Sequence, residues 1–141
     1  MHQLNALIPE LSVSNIERSL EFYLEILTFK IEYERLEDKF ALLSLSDCQI
    51  MIEEVNGHWD TGKLSYPFGR GVNFQITIND IDPIYRNLIK HDYPIKFDIQ
   101  ENWYRANTKI KGQKEFLIMD PDGYLLRFVQ DLGEKNIKEN D

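Results

Sequence analysis

MDPDGYLLRFVQD, residues 119–131, places a tight turn directly before an apolar strand. In Asp120-Pro121-Asp122-Gly123 the proline presets φ and the glycine accepts φ > 0. Strand alternation then puts Tyr124, Leu126 and Phe128 on one face and Leu125, Arg127 and Val129 on the other. Both faces are apolar except for Arg127. A permanent cation inside such a strand needs either a partner or a purpose.

Working backwards, QKEFLIMD (113–120), ENWYRANTKIKG (101–112) and YPIKFDIQ (93–100) read as strand-like segments. NDIDPIYRNLIKHD (79–92) reads as a helix, capped near Asn79 or Asp80, with Pro83 tolerated in its first turn. GVNFQITI (71–78) is the strand before it. The first half follows the same order. LNALIPELSV (4–13) is a strand whose Pro9 suits an edge or a bulge. SNIERSLEFYLEIL (14–27) repeats Ile16, Leu20, Tyr23, Leu24 and Leu27 at helical spacing behind a Ser14 or Asn15 cap. FKIEYERLE (29–37), KFALLSLSD (39–47) and CQIMIEEV (48–55) are three further strands. Residues 56–70, with three glycines and a proline, have no periodicity and read as a connecting loop.

The two halves are thus offset by about 65 residues, with SNIERSLEFYLEI over NDIDPIYRNLIKH and SDCQIMIEE over PDGYLLRFVQ. The expected fold is α+β. Two βαβββ modules, 1–55 and 71–131, form curved mixed sheets around a crevice, and the polar tail 132–141 frays.

Composition narrows the function. A chain of 141 residues, 43% hydrophobic and 28% charged, suits one domain with a real core. No apolar run is long enough to cross a membrane, and the N-terminus lacks a basic secretory start. The single cysteine, Cys48, excludes an internal disulfide and fits a cytoplasmic protein. A net charge of −8 disfavours nucleic acid and anionic membranes as partners. It suits a cationic ligand, or simply solubility.

VSNIERSLEFYLEILTFKIEYE, GRGVNFQITINDID and FLIMDPDGYLLRFVQDLG together resemble the vicinal oxygen chelate superfamily, over residues 4 to 133. That superfamily includes glyoxalase I, extradiol dioxygenases, fosfomycin resistance enzymes and bleomycin resistance proteins, and the last look most similar. The resemblance implies paired βαβββ modules and a homodimer. It also implies, for the enzymes, a divalent metal held by His and Glu from the first and last strand of each module. Those positions fall at about Ile8, Met51, Asn73 and Arg127, and none is His, Glu or Asp. Arg127 has no lone pair to give a metal.

Other chemistry has weak signatures. His2, His58 and His91 show no ligand spacing. Glu10, Glu53 and Glu54 are possible oxygen ligands, but adjacent strand residues face opposite ways. There is no GxSxG and no phosphate loop. The aromatics are more informative: Trp59, Tyr66 and Phe68 in the loop, Trp103 and Tyr104 in the irregular stretch. Trp59 suits a dimer interface. The expected ligand-binding set is Phe40, Met51, Asn73, Trp103, Tyr104 and Arg127, with no catalytic residue, no metal and no cofactor. Asp60, Asp98 and Glu101 lie near those aromatics and could match a cation. The resemblance implies stoichiometric capture of a planar or cationic small molecule, with bleomycin-type glycopeptides as the precedent. The competing expectations are a metal-dependent lyase, transferase or dioxygenase with displaced ligands, and an Arg127 that clamps a carboxylate or phosphate. An internal glutamate partner for Arg127 is a further alternative.

Overall fold

The computed structural model describes residues 3–137. Each half is a βαβββ module, with four-stranded mixed sheets ordered β1-β4-β3-β2 and β5-β8-β7-β6. In each, the first and last strands run parallel and the other neighbours antiparallel.

The first module holds β1 (Glu10–Val13), α1 (Ile16–Glu21), β2 (Lys30–Arg35), β3 (Phe40–Leu45) and β4 (Cys48–Glu54). Asn15 caps α1, its side chain accepting the Arg18 N–H at 3.0 Å. The helix then widens into a π-helical turn over Phe22–Ile26, where the Leu27 N–H reaches back to the Phe22 carbonyl at 3.1 Å. Leu11, Val13, Ile50, Ile52, Tyr23 and Leu27 fill the helix-side core. The expected first strand is shortened. Before Glu10 the chain is irregular, and Asn5 and Gln3 are tied instead to the Gln49 side chain.

The second module holds β5 (Asn73–Thr77), α2 (Asp82–Lys90), β6 (Phe97–Ala106), β7 (Lys109–Met119) and β8 (Leu125–Asn136). Here α2 begins later than Asn79 or Asp80. Asp80 closes a local turn onto the Asp82 N–H at 3.0 Å, and the Ile81 N–H bonds the Gln130 side chain at 3.1 Å. Ile76, Leu88, Phe116, Ile118, Leu126 and Phe128 are buried under α2. The segment ENWYRANTKIKG is not one strand. It bends into a hairpin at Asn107, whose φ of 59° is left-handed. Residues 132–136, expected to fray, instead continue β8 against Lys109–Gly112. Gly133 at φ 91° takes up the bulge there, and Lys109 pairs with Glu134 at 2.7 Å. The end of the tail, 138–141, lies outside the described residues.

The chain forms two compact units. One runs up to Val72 and includes Asp120–Tyr124; the other takes Asn73–Met119 and the chain from Leu125 on. The DPDG turn, read from sequence as part of the second module, therefore packs with the first unit. Its carboxylates explain this. Asp120 accepts the Tyr23 hydroxyl at 2.8 Å, and Asp122 accepts the Ser14 N–H at 3.0 Å, its hydroxyl at 2.5 Å and Arg18 at 3.2 Å. The Tyr124 hydroxyl donates to the Ser12 carbonyl at 2.8 Å. Gly123 is required on two counts. Its φ is +95°, and a Cβ would stand 2.5 Å from that of Pro67.

Candidate functional site

Each sheet has one helix-covered face and one face turned away from its helix, called the open face, although on the first unit Phe40, Leu42, Ser44 and Gln49 of that face are buried. On the second unit, period-2 alternation sends Asn73, Gln75, Glu115, Leu117 and Arg127 away from the helix-side core. Register places Gln75 beside Arg127 on the parallel pair and Leu117 beside Arg127 on the antiparallel one.

Arg127 has the internal partner left open by the sequence. Its Nη1 lies 3.5 Å from Glu115 Oε2, and its Nη2 donates to Gln75 Oε1 at 2.9 Å. Glu115 also accepts Asn102 at 3.2 Å and Gln113 at 3.1 Å. The carboxylate is thus the hub of the network, 14% exposed, against 31% for the guanidinium. The Arg127 Nε is buried and has no hydrogen-bond partner. Asn73, Phe97, Asp98, Leu125 and Arg127 help line an open cavity of about 340 Å³. The Phe97 ring is 49% exposed there, with the Lys96 ammonium 5.6 Å from its centroid. Asp98 accepts the Tyr85 hydroxyl at 2.6 Å, and that bond, with the one from the Ile99 N–H, holds its carboxyl below the usual range.

The first unit's open face distributes its charge differently. Glu10, Met51 and Glu53 lie along β1 and β4, with Phe40 in register beside Glu53. The Arg35 guanidinium stacks 4.1 Å over Phe40, and Tyr33 lies 5.9 Å from the same ring. Although Glu10 is exposed as a residue, partial burial of its carboxyl raises its pKa; the neighbouring Glu53 charge adds to this and Arg35 opposes it. At one end of this sheet a cavity of about 730 Å³ is lined by Glu37, Asp38, Glu53, Glu54, His58 and Trp59, among others. Two of its carboxylates have cations, Asp38 with Arg35 at 3.0 Å and Glu54 with Lys39 at 3.0 Å. Glu53 is nearly buried and accepts the Asn56 amide at 2.7 Å. Trp59, expected at an interface, lines this cavity and is 65% exposed.

Of the six expected ligand residues, Asn73 and Arg127 meet in one cavity. Tyr104 shares their sheet face farther along the hairpin, its hydroxyl 3.4 Å from Gln113. Trp103 does not join them. It lies on the opposite face, against Gly112, with the Lys135 ammonium 3.9 Å from its ring centroid. Phe40 and Met51 belong to the first unit's sheet. Sequence reading missed Glu115 as the hub, and Phe97. The signal for Glu115 was present: Phe116 and Ile118 alternate into the core, which turns Glu115 towards the Arg127 face.

The family resemblance raises a divalent metal. The residues do not fit one. Arg127 and Met51 stand at expected ligand positions, and Glu115 is committed to three donors. Among the described residues no three His, Cys, Asp or Glu side chains converge to hold an ion. Nor is any described helix long and apolar enough to cross a membrane.

Two βαβββ modules, each with a helix-covered and an open sheet face, define the class of protein. The model of the Glyoxalase/Bleomycin resistance protein/Dioxygenase superfamily matches residues 3–128, and the chain belongs to this superfamily. Proteins named bleomycin resistance protein, from Geobacillus stearothermophilus and Staphylococcus aureus, are 27% identical over 138 residues, covering 89% of this chain and 96% of theirs. TioX from Micromonospora sp. ML1 matches with a TM-score of 0.70 at 14% identity, covering 91% of this chain and 99% of its own. A glyoxalase/bleomycin resistance protein/dioxygenase from Alicyclobacillus acidocaldarius matches with a TM-score of 0.64 at 20% identity, covering 91% and 92%. At these identities the two structures speak for the fold alone.

Proposed function

We propose that this chain is a binding protein that captures a planar or cationic small molecule stoichiometrically, without catalysis and without a metal of its own. In this reading it acts as a cytoplasmic homodimer, the assembly that the family resemblance implies. The observation that carries this reading is the first unit's cavity, about 730 Å³ walled by Glu37, Asp38, Glu53 and Glu54 beside the exposed Trp59 indole. An aromatic face with carboxylates around it attracts a flat cation through the ring quadrupole and through charge. Capture needs no general base. The relatives' name supports an antibiotic as the ligand class.

Bleomycin is the first probe. Micromolar binding with a change in tryptophan emission is expected, weakened at least tenfold in Trp59→Ala. Unchanged emission and no heat on titration would sink the capture reading. Light scattering on a sizing column checks the homodimer, which a monomer mass would overturn. Added zinc, nickel, manganese or iron should bring neither stoichiometric metal nor lyase activity.

A further inference from the structure

We infer that the second unit's cavity is a separate ligand site that takes an aromatic carboxylate, with Arg127 as its clamp and Phe97 as its platform. The proposal does not rest on cation capture by the first unit.

The argument is one of donor supply. Arg127 carries five N–H donors and accepts nothing. In the resting structure only two contacts are made, one good at 2.9 Å to Gln75 and one long at 3.5 Å to Glu115. Its Nε is sealed from solvent with no acceptor, so the resting pose leaves a donor unsatisfied. Glu115 keeps two amide bonds, from Asn102 and Gln113, if the guanidinium turns away. Moving Arg127 breaks the long contact to Glu115 and the 2.9 Å bond to Gln75, and an entering carboxylate must replace both. An entering carboxylate offers two coplanar oxygens that match the guanidinium fork.

The rest of the cavity suits the ring that would carry that carboxylate. Leu117 and Leu125 give an apolar floor and Phe97 a half-exposed aromatic wall. The Lys96 ammonium, 5.6 Å from the Phe97 centroid, lies outside the cavity lining, so Arg127 is the cation that faces the ligand. Asp98 and Glu115 are the opposing charges in the lining; Asp98 Oδ1 is already occupied by Tyr85 and the Ile99 N–H, and Glu115 by Asn102 and Gln113. The volume of about 340 Å³ is sufficient for a bicyclic ring.

Three probes of one shape test this: quinoline-2-carboxylate, quinoline-2-carboxamide and quinolin-2-ylmethanamine. Each is titrated into the full chain by calorimetry and mapped by backbone amide NMR shifts. The carboxylate should bind at least about tenfold tighter than the amide or the amine. Its perturbations should centre on Asn73, Leu117 and Leu125. Arg127→Gln should abolish the preference, Arg127→Lys should lose most of it, and Glu115→Gln should strengthen carboxylate binding by removing the competing charge. If Arg127→Gln does not fold, the Lys and Glu115→Gln variants carry the test. Equal binding of the three probes, no binding at millimolar concentration, shifts centred elsewhere, or a preference that survives in the folded Arg127 variants would overturn it. Bleomycin binding retained in Arg127→Gln would leave the first unit's reading standing alone.

Discussion

The two open sheet faces come from the same pattern of elements, yet they hold charge in different ways. In the repeat register Met51 answers to Arg127 and Phe40 to Glu115, since both pairs flank the same strands. The first unit thus has carboxylates on its first and last strands and a guanidinium stacked on an aromatic ring. The second unit has the guanidinium on its last strand and a carboxylate on the third, bonded to each other and to three amides. The lesson is that this fold constrains its helix-side core and leaves the open face free. Ile50 and Ile52 in one module match Leu126 and Phe128 in the other as buried residues. On the open side only the leucines beside Met51 and Arg127, Leu42 and Leu117, correspond.

Several changes would break or sharpen that contrast. The largest effect concerns the first unit's DPDG turn, where burial pushes the Asp120 carboxyl up to about 6 despite three hydrogen bonds that favour its charged form. The folded value lies above the unfolded one. The associated stability is therefore fully present below the unfolded pKa near 3.8 and is lost as pH rises through 6. Between pH 7 and pH 4 the protein should gain up to about 3 kcal/mol relative to Asp120→Asn. Urea denaturation of both proteins across that range checks it, and parallel pH profiles would refute it.

Next comes the second unit's hub. Glu115→Ala strands Asn102, Gln113 and Arg127 together and should cost about 2–3 kcal/mol by chemical denaturation. On the first unit Glu54→Ala removes a pair between a partly buried carboxylate and the exposed Lys39 and should cost about 0.5–1 kcal/mol. Similar losses at the two sites would erase the contrast.

A smaller effect belongs to the β6–β7 hairpin, which has no counterpart of its length in the first module. Gly112→Ala puts a Cβ 2.5 Å from the Trp103 ring. It should cost about 1–2 kcal/mol and shift tryptophan emission to the red as the indole is displaced. Smallest of all, Arg35→Ala removes a stacked but exposed guanidinium and should shift the denaturation midpoint less than any of the other variants.

Much of this was legible. The βαβββ order, the Asn15 cap and the core face of β8 follow from period and turn chemistry, which are local. The helix start at Asp82 was missed because Asp80 satisfies its own turn rather than the helix. The polar residues 132–136 read as a tail because nothing in their composition announces a ladder; their partner lies more than twenty residues earlier. Trp103 enters the expected binding set as an aromatic suited to stack on a planar ligand. Alternation within a strand that could not be delimited by sequence put it and Tyr104 on opposite faces.

Arg127 marks the boundary between the two kinds of knowledge. The sequence by itself determined that a guanidinium stands on the last strand, at a position where the family resemblance implies a metal ligand in the enzymes. It also determined that no metal would be held by that side chain, because a guanidinium has no lone pair. Only the tertiary structure decided its partner, because Glu115 and Gln75 reach it across neighbouring strands whose register no local pattern encodes. The same reason applies to the DPDG turn. Its chemistry is local, but its attachment to Tyr23 and Ser14 spans about a hundred residues, and only folding brings those hydroxyls to the carboxylates.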